Sequence, residues 1–191
     1  MSPFFSIITP SLQRQSLLRT CESIDKQTYF GRFEHIIMID QDVIDKELFA
    51  KIDQPYRFVY QCPNHHGNYG NRCRYDAWKH ASGDMLWYMD DDNYLVDDRI
   101  LEDMAAILKD VECFAILPIM RHGRWFFNDP PGLCMTDTMN VVCRRTIGRW
   151  PDIEAREADG HWVEALKANY PYTAFPQFRP IGVMEYSSNG I

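Results

Sequence analysis

Apolar runs of strand length alternate four times with segments of helical periodicity over the first 120 residues, and the runs end at polar residues. Phe4 to Ile8 is the first such run; it closes at Thr9-Pro10-Ser11, which reads as a strand followed by a loop. Leu17, Leu18, Cys21 and Ile24 then share one helix face, with Ser11 as the cap before them. Glu34 to Ile39 reads as a second strand stopping at Asp40, Ile44 to Ile52 as a short helix, and Tyr56 to Gln61 as a third strand. The turn formers of Asn64 to Asn71 lead into a helix over Arg72 to Ala81, closed by Gly83. Met85 to Met89 is a fourth strand that runs straight into Asp90-Asp91-Asp92. A helix from Asp97, with Leu101, Met104, Ala105 and Leu108 on one face, and a buried strand over Cys113 to Ile119 follow.

This alternation specifies an α/β fold: a doubly wound, mostly parallel sheet with helices on both faces, joined by right-handed crossovers. Ligands of such sheets sit beyond the carboxyl ends of the strands. Thr9, Asp40 and the Asp90 cluster all fall at that edge, so groups far apart in sequence are expected to converge on one crevice. After Ile119 the pattern changes. His122-Gly123-Arg124 reads as a hairpin turn, Asn128 to Gly132 as a loop, Met139 to Cys143 as a strand and Glu157 to Asn169 as a last helix before an irregular tail.

A length of 191 residues suits one domain with a real core, and 46% hydrophobic against 25% charged residues is a globular balance. A net charge of -7 without a basic stripe argues against nucleic-acid binding. No two of the six cysteines form a CxxC pair, so they read as buried thiols. The longest apolar stretch, Cys113 to Met120, is too short to span a bilayer, no leader is visible, and a cytoplasmic location is expected.

Three consecutive aspartates repel one another, and Asp97 and Asp98 add to the local charge. A divalent cation would resolve that conflict, and hard carboxylate oxygens select Mg2+ or Mn2+ over zinc. The alternative is a solvated acidic turn that caps the next helix.

Taken in order, these motifs resemble glycosyltransferase family 2, with its GT-A fold, over most of the first 160 residues. Phe5-Ser6-Ile7-Ile8-Thr9-Pro10 is similar to the family's first strand and nucleotide loop, and Glu34 to Asp40 to its second strand ending in a uracil-contacting aspartate. Gly70-Asn71-Arg72-Cys73-Arg74 and Ala81-Ser82-Gly83-Asp84 resemble the Gly-x-x-Ala-Arg-Asn helix and its closing Ala-x-Gly, and Asp90-Asp91-Asp92 stands at the DxD motif. The resemblance implies a metal-dependent inverting transferase that moves a sugar from a nucleoside-diphosphate donor, a UDP-sugar first, to a carbohydrate or other hydroxyl acceptor. It assigns Asp92 and Asp90 to the metal, and Thr9, Pro10, Asp40, Arg74, Asp90 and Asp91 to the donor. It divides residues 1–191 into a nucleotide-binding half (1–93), an acceptor-binding half (94–175) and a tail (176–191).

The family carries its base in a Glu-Asp pair before the last helix, where this chain reads Glu157-Ala158-Asp159. Asp159 is the first choice as catalytic base, with Glu157 the rival and His161 a minor contact. Asp137 resembles an acceptor-facing group. Trp125, Phe126 and Phe127 read as core rather than as a sugar-stacking face, and His65-His66 as surface. Tyr75, Ala77 and Ser11-Leu12 depart from the family pattern, which leaves base and sugar specificity open. Two rivals remain: a sugar nucleotidyltransferase, against which stands the absence of glycine from Ile8 to Arg14, and an inactive sugar-nucleotide-binding protein, suggested by the broken Glu-Asp pair. Self-association stays open.

Overall fold

The structure, a computed structural model, describes residues 4–63, 69–133 and 136–184. His65, His66 and Cys134 lie outside the described residues.

Seven strands form the central sheet: β1 (Phe5–Ser11), β2 (Phe33–Ile39), β3 (Arg57–Gln61), β4 (Met85–Tyr88), β6 (Phe114–Ile116), β9 (Val141–Arg144) and β10 (Tyr172–Ala174), in the order β10-β6-β9-β4-β1-β2-β3. Every pairing is parallel except those of β9, which runs antiparallel to both β4 and β6. The run of seven buried residues in β1 reflects its central place, covered on both faces. Helices α1 (Ser16–Asp25), α2 (Lys46–Ala50) and α4 (Ile100–Leu108) pack Leu17, Ile24, Leu48, Leu101 and Met104 on one face. On the other, α3 (Asn71–Ala77) and α5 (Ala158–Asn169) contribute Cys73, Ala77, Trp162 and Leu166. The expected GT-A-like α/β architecture is thus present.

Several boundaries differ from expectation for identifiable reasons. Thr9, Pro10 and Ser11 belong to β1 and not to a loop, because they pair with Ile37, Met38 and Ile39. Ser11 does not cap α1; the cap position is Gln15, which makes no side-chain cap bond. The helix expected over 44–52 is one short piece capped by Asp45, whose carboxylate accepts from the Glu47 and Leu48 amides at 3.1 and 3.0 Å. The helix expected over 72–81 gives way to a 3-10 turn at Trp78–His80. Asp97 does not open a helix but accepts from the Arg99 amide at 2.9 Å, and α4 begins at Ile100.

The strand expected over Cys113 to Ile119 is two strands in two sheets. Pro118 has no amide to donate, so β6 stops before it and β7 (Ile119–Arg121) starts after it. With β5 (Tyr94–Leu95), β8 (Arg124–Phe126) and β11 (Gly182–Met184), β7 builds a second sheet in the order β5-β11-β7-β8. The tail is therefore not irregular throughout, since β11 lies between β5 and β7. Trp125 is 51% exposed on the edge strand β8 and is not core, whereas Phe126 and Phe127 pack partly against it.

At the amino-terminal end of the sheet a clasp sets the register of β4. Glu34, 7% exposed, accepts from Ser6 Oγ and from the Ser82 amide, both at 2.6 Å, and the Gly83 amide donates to Ser6 Oγ at 2.8 Å. A Cβ on Gly83 would lie 2.6 Å from Ser6 Oγ and 2.7 Å from the Phe4 carbonyl oxygen. Gly83→Ala is expected to destabilise the fold by about 1–3 kcal/mol through overpacking, measured by urea unfolding; unchanged stability would show that the clasp does not constrain β4.

Candidate functional site

Because β1, β2, β3 and β4 are parallel, Ser11, Asp40, Cys62 and the acidic triplet all emerge at one edge of the sheet. The reversed strand β9 begins at the same edge, and Asp137 stands just before it. The convergence expected from sequence is present for Asp40 and the triplet. It is modified for Thr9, which lies within the strand with its hydroxyl 3.0 Å from His35 Nε2 and no exposed surface. His35 Nδ1 accepts from Arg57 Nε at 3.0 Å, which leaves Nε2 as the protonated nitrogen that donates to Thr9. Burial, with the Arg57 charge added, holds this histidine well below the ordinary imidazole range, so it stays neutral. Thr9 thus supports the crevice from beneath.

The three aspartates do not share one volume. Asp90 pairs with the buried Arg74 guanidinium. Asp91, 5% exposed, accepts from Ser11 Oγ at 2.8 Å and from the Leu12 amide at 3.2 Å. Asp92 remains half-buried with Arg14 Nη1 3.6 Å from its carboxylate. Arg74, Arg14 and the end of β1 therefore offset part of their mutual repulsion. Burial still pushes the Asp91 carboxyl up, against the Ser11 hydrogen bond and Arg14.

Arg74 organises the rest. Its Nη1 donates to the Tyr69 carbonyl at 2.8 Å, its guanidinium lies 5.0 Å over the Trp150 ring, and its Nε is buried without a hydrogen-bond partner among the described residues. Beneath it Tyr88, Trp150 and Trp162 pack with centroids 5.0–5.3 Å apart. Gly70 precedes α3 with φ +72°, and a Cβ there would stand 2.8 Å from Pro10 Cβ and 3.2 Å from Arg74 Nη1. Only glycine lets the loop, Pro10 and Arg74 approach in this way.

Asn71 Nδ2 donates to the Ala155 carbonyl at 2.8 Å, which ties the start of α3 to the segment before α5. The first turn of α5 carries Asp159, whose Oδ1 accepts from the Gly160 amide at 2.8 Å. Burial raises the Asp159 carboxyl above the ordinary value of 3.8; Arg74 opposes this and Asp90 adds to it, so all three belong to one electrostatic neighbourhood. Asp137 joins them. Burial, with the Asp90 charge next, pushes it up to about 7, while its carboxylate accepts from the Met139 amide at 3.0 Å. Glu157 and His161 are exposed at the start of the same helix.

The sequence reading missed Arg14 and Trp150. Arg14 follows the turn at Gln13, whose φ of 59° aims the chain back over the edge, and no periodicity reveals that. Trp150 is isolated in sequence, and only the packing of α5 on β4 places it under Arg74.

The chain has relatives of known architecture. The sequence profile described as Glycosyl transferase family 2 matches residues 6–163. No curated protein sequence matches the chain. Among solved structures, S. aureus TarS 1-349 superposes with a TM-score of 0.75 at 15% identity, covering 94% of this chain and 59% of TarS 1-349. TarS 1-349 in complex with UDP-GlcNAc gives a TM-score of 0.72 at 17% identity, covering 97% and 60%. The mannosyltransferase PcManGT from Pyrobaculum calidifontis, in complex with GDP-Man and Mn2+, gives 0.70 at 14% identity, covering 100% and 59%. The chain therefore spans less than two thirds of these proteins, and at such identities the likeness concerns the fold. The family profile covers most of the chain and runs from β1 into α5, across every element that lines this edge: the chain belongs to glycosyltransferase family 2.

Proposed function

We propose that this chain transfers a sugar from a nucleoside-diphosphate sugar, a UDP-sugar first, to an acceptor hydroxyl with inversion at the anomeric carbon. The observation that carries this reading is the placement of Asp159 in the electrostatic neighbourhood of the Arg74–Asp90 pair, beyond the carboxyl ends of the strands. Structural relatives bound to UDP-GlcNAc and to GDP-Man with Mn2+ support the donor class.

Asp40 suits the nucleoside base, with Pro10 as the packed floor beside it and Asp91 holding the rim. Arg74 suits the diphosphate: its positive charge and the unpartnered buried Nε match an anionic oxygen. Asp92 and Asp90 would hold Mg2+ or Mn2+, since both are half-buried carboxylates at the rim and offer the hard oxygens such ions prefer. When bound, the ion supplies Lewis-acid stabilisation of the departing diphosphate.

The acceptor oxygen attacks the anomeric carbon, the bond from that carbon to the diphosphate oxygen breaks, and the hydroxyl proton passes to Asp159. A carboxylate whose pKa is raised by burial is a better proton acceptor than an ordinary one. Glu157, two residues earlier, is exposed and does not share this burial. Asp137, pushed up to about 7 by burial and by the Asp90 charge, carries its proton far more readily than an ordinary carboxyl, so it fits a hydrogen-bonding role toward sugar hydroxyls.

Asp92→Ala is expected to abolish manganese-dependent UDP binding in calorimetry while the far-ultraviolet circular dichroism stays unchanged. Binding of UDP, GDP and dTDP that is indifferent to manganese would sink the metal assignment. Asp159→Asn should keep donor binding and lower kcat by about 10²–10⁴-fold; undiminished transfer would move the base elsewhere. Since Asp159 accepts a proton only when ionised and its pKa is raised, kcat/KM of the wild type should fall on acidification with a midpoint above 3.8. A midpoint at or below that value, or an identical acid limb in Asp159→Asn, would exclude Asp159 as the titrating base.

A further inference from the structure

Beside the acidic triplet, the edge of the sheet holds a second cluster with different chemistry. Asp40 follows β2, Cys62 follows β3 and Cys73 lies in α3, and one carboxylate oxygen and the two Sγ atoms all lie within 4.8 Å of one another. They are 3%, 5% and 0% exposed. Their backbones are fixed: the Asp40 amide donates to the Ser11 carbonyl at 2.9 Å, and the Cys62 amide to the Ile39 carbonyl at 2.8 Å. Sequence spacing conceals this cluster, because its cysteines stand eleven positions apart instead of forming a CxxC pair.

We propose that Asp40, Cys62 and Cys73 form a binding site for a thiophilic divalent cation of the zinc class, distinct from the hard-oxygen site at Asp90 and Asp92. Zinc bonds of about 2.3 Å to sulfur and about 2.0–2.2 Å to oxygen place tetrahedral ligands roughly 3.5–3.8 Å apart. Donor atoms already within 4.8 Å reach that spacing by side-chain rotation, without moving the strands. Two thiolates select zinc over Mg2+ and Mn2+, which favour all-oxygen sites. Three protein ligands leave one tetrahedral position for water.

In the metal-free protein burial, with Asp40 and Cys62 adding to it, pushes the Cys73 thiol up. Thiolate ligands must give up their protons to bind the cation, so affinity falls as pH falls. The ion would join β2, β3 and α3, and so stabilise the folded chain by linkage. Nothing in this proposal rests on the glycosyl-transfer reading, and its test contains no nucleotide.

The full chain, kept reduced, is dialysed against zinc with an excess of Mg2+, then assayed for bound zinc, for thiols reactive toward a chromogenic disulfide, and for Tm. The expected result is one retained zinc per chain, protection of two thiols and a zinc-dependent rise in Tm. Cys62→Ser, Cys73→Ser and Asp40→Asn should each lose at least about 10–100-fold in zinc affinity, the range that even outer-shell partners command, whereas Cys113→Ser should keep it. Should a serine variant unfold, zinc protection of thiols in the wild type and the Asp40→Asn affinity still decide the matter. Zinc that is not retained, that Mg2+ displaces, or that binds equally to Asp40→Asn and both serine variants overturns the proposal. So does a Cys62–Cys73 disulfide in the reduced preparation.

Discussion

Three carboxylates in successive residues can coexist at the rim of a sheet only if each is given its own compensation, and the ion pair between Asp90 and Arg74 is the part of that arrangement on which the others depend. It turns Asp90 toward α3, which leaves Asp91 to fasten the end of β1 and Asp92 to face Arg14. Arg74 is held in turn by the Tyr69 carbonyl and the Trp150 ring, so the charge that neutralises Asp90 is rigid. The guanidinium is thereby presented at the edge already placed.

Much of the central sheet was legible because buried parallel strands write themselves as apolar runs: Phe5 to Ile8, Glu34 to Ile39 and Met85 to Met89 each foretell a strand and the edge at which it ends. The positions of Asp40, Arg74, the triplet and Asp159 followed from that and from the family resemblance. What escaped has a common cause in short elements whose partners are distant. β5, β7, β8 and β11 are two or three residues long, too short for any period to show, and they exist because they pair with one another. Pro118 was a visible break that apolar continuity from Cys113 to Ile119 masked. Thr9 was misread as the end of its strand because a polar residue inside a strand looks like its end, unless the buried histidine that donates to it is known.

Two different sets of donor atoms meet at one edge. Asp90 and Asp92 offer oxygen at a half-open rim, while Asp40, Cys62 and Cys73 offer oxygen and sulfur under cover. The polar groups around them divide the labour: Glu34 and Ser6 lock the far end of β4, and the His35–Arg57 chain props β1 from the opposite face. Members of one family can keep such a scaffold and change the chemistry at its edge.

Strand β9 is the one member of the main sheet that runs against its neighbours, bonded to β4 on one side and to β6 on the other. A strand gripped from both flanks cannot slide, so the place where it enters the sheet is decided by those neighbours and not by the chain that leads up to it. Asp137, which stands just ahead of that entry, is thereby held at the edge where β4 ends.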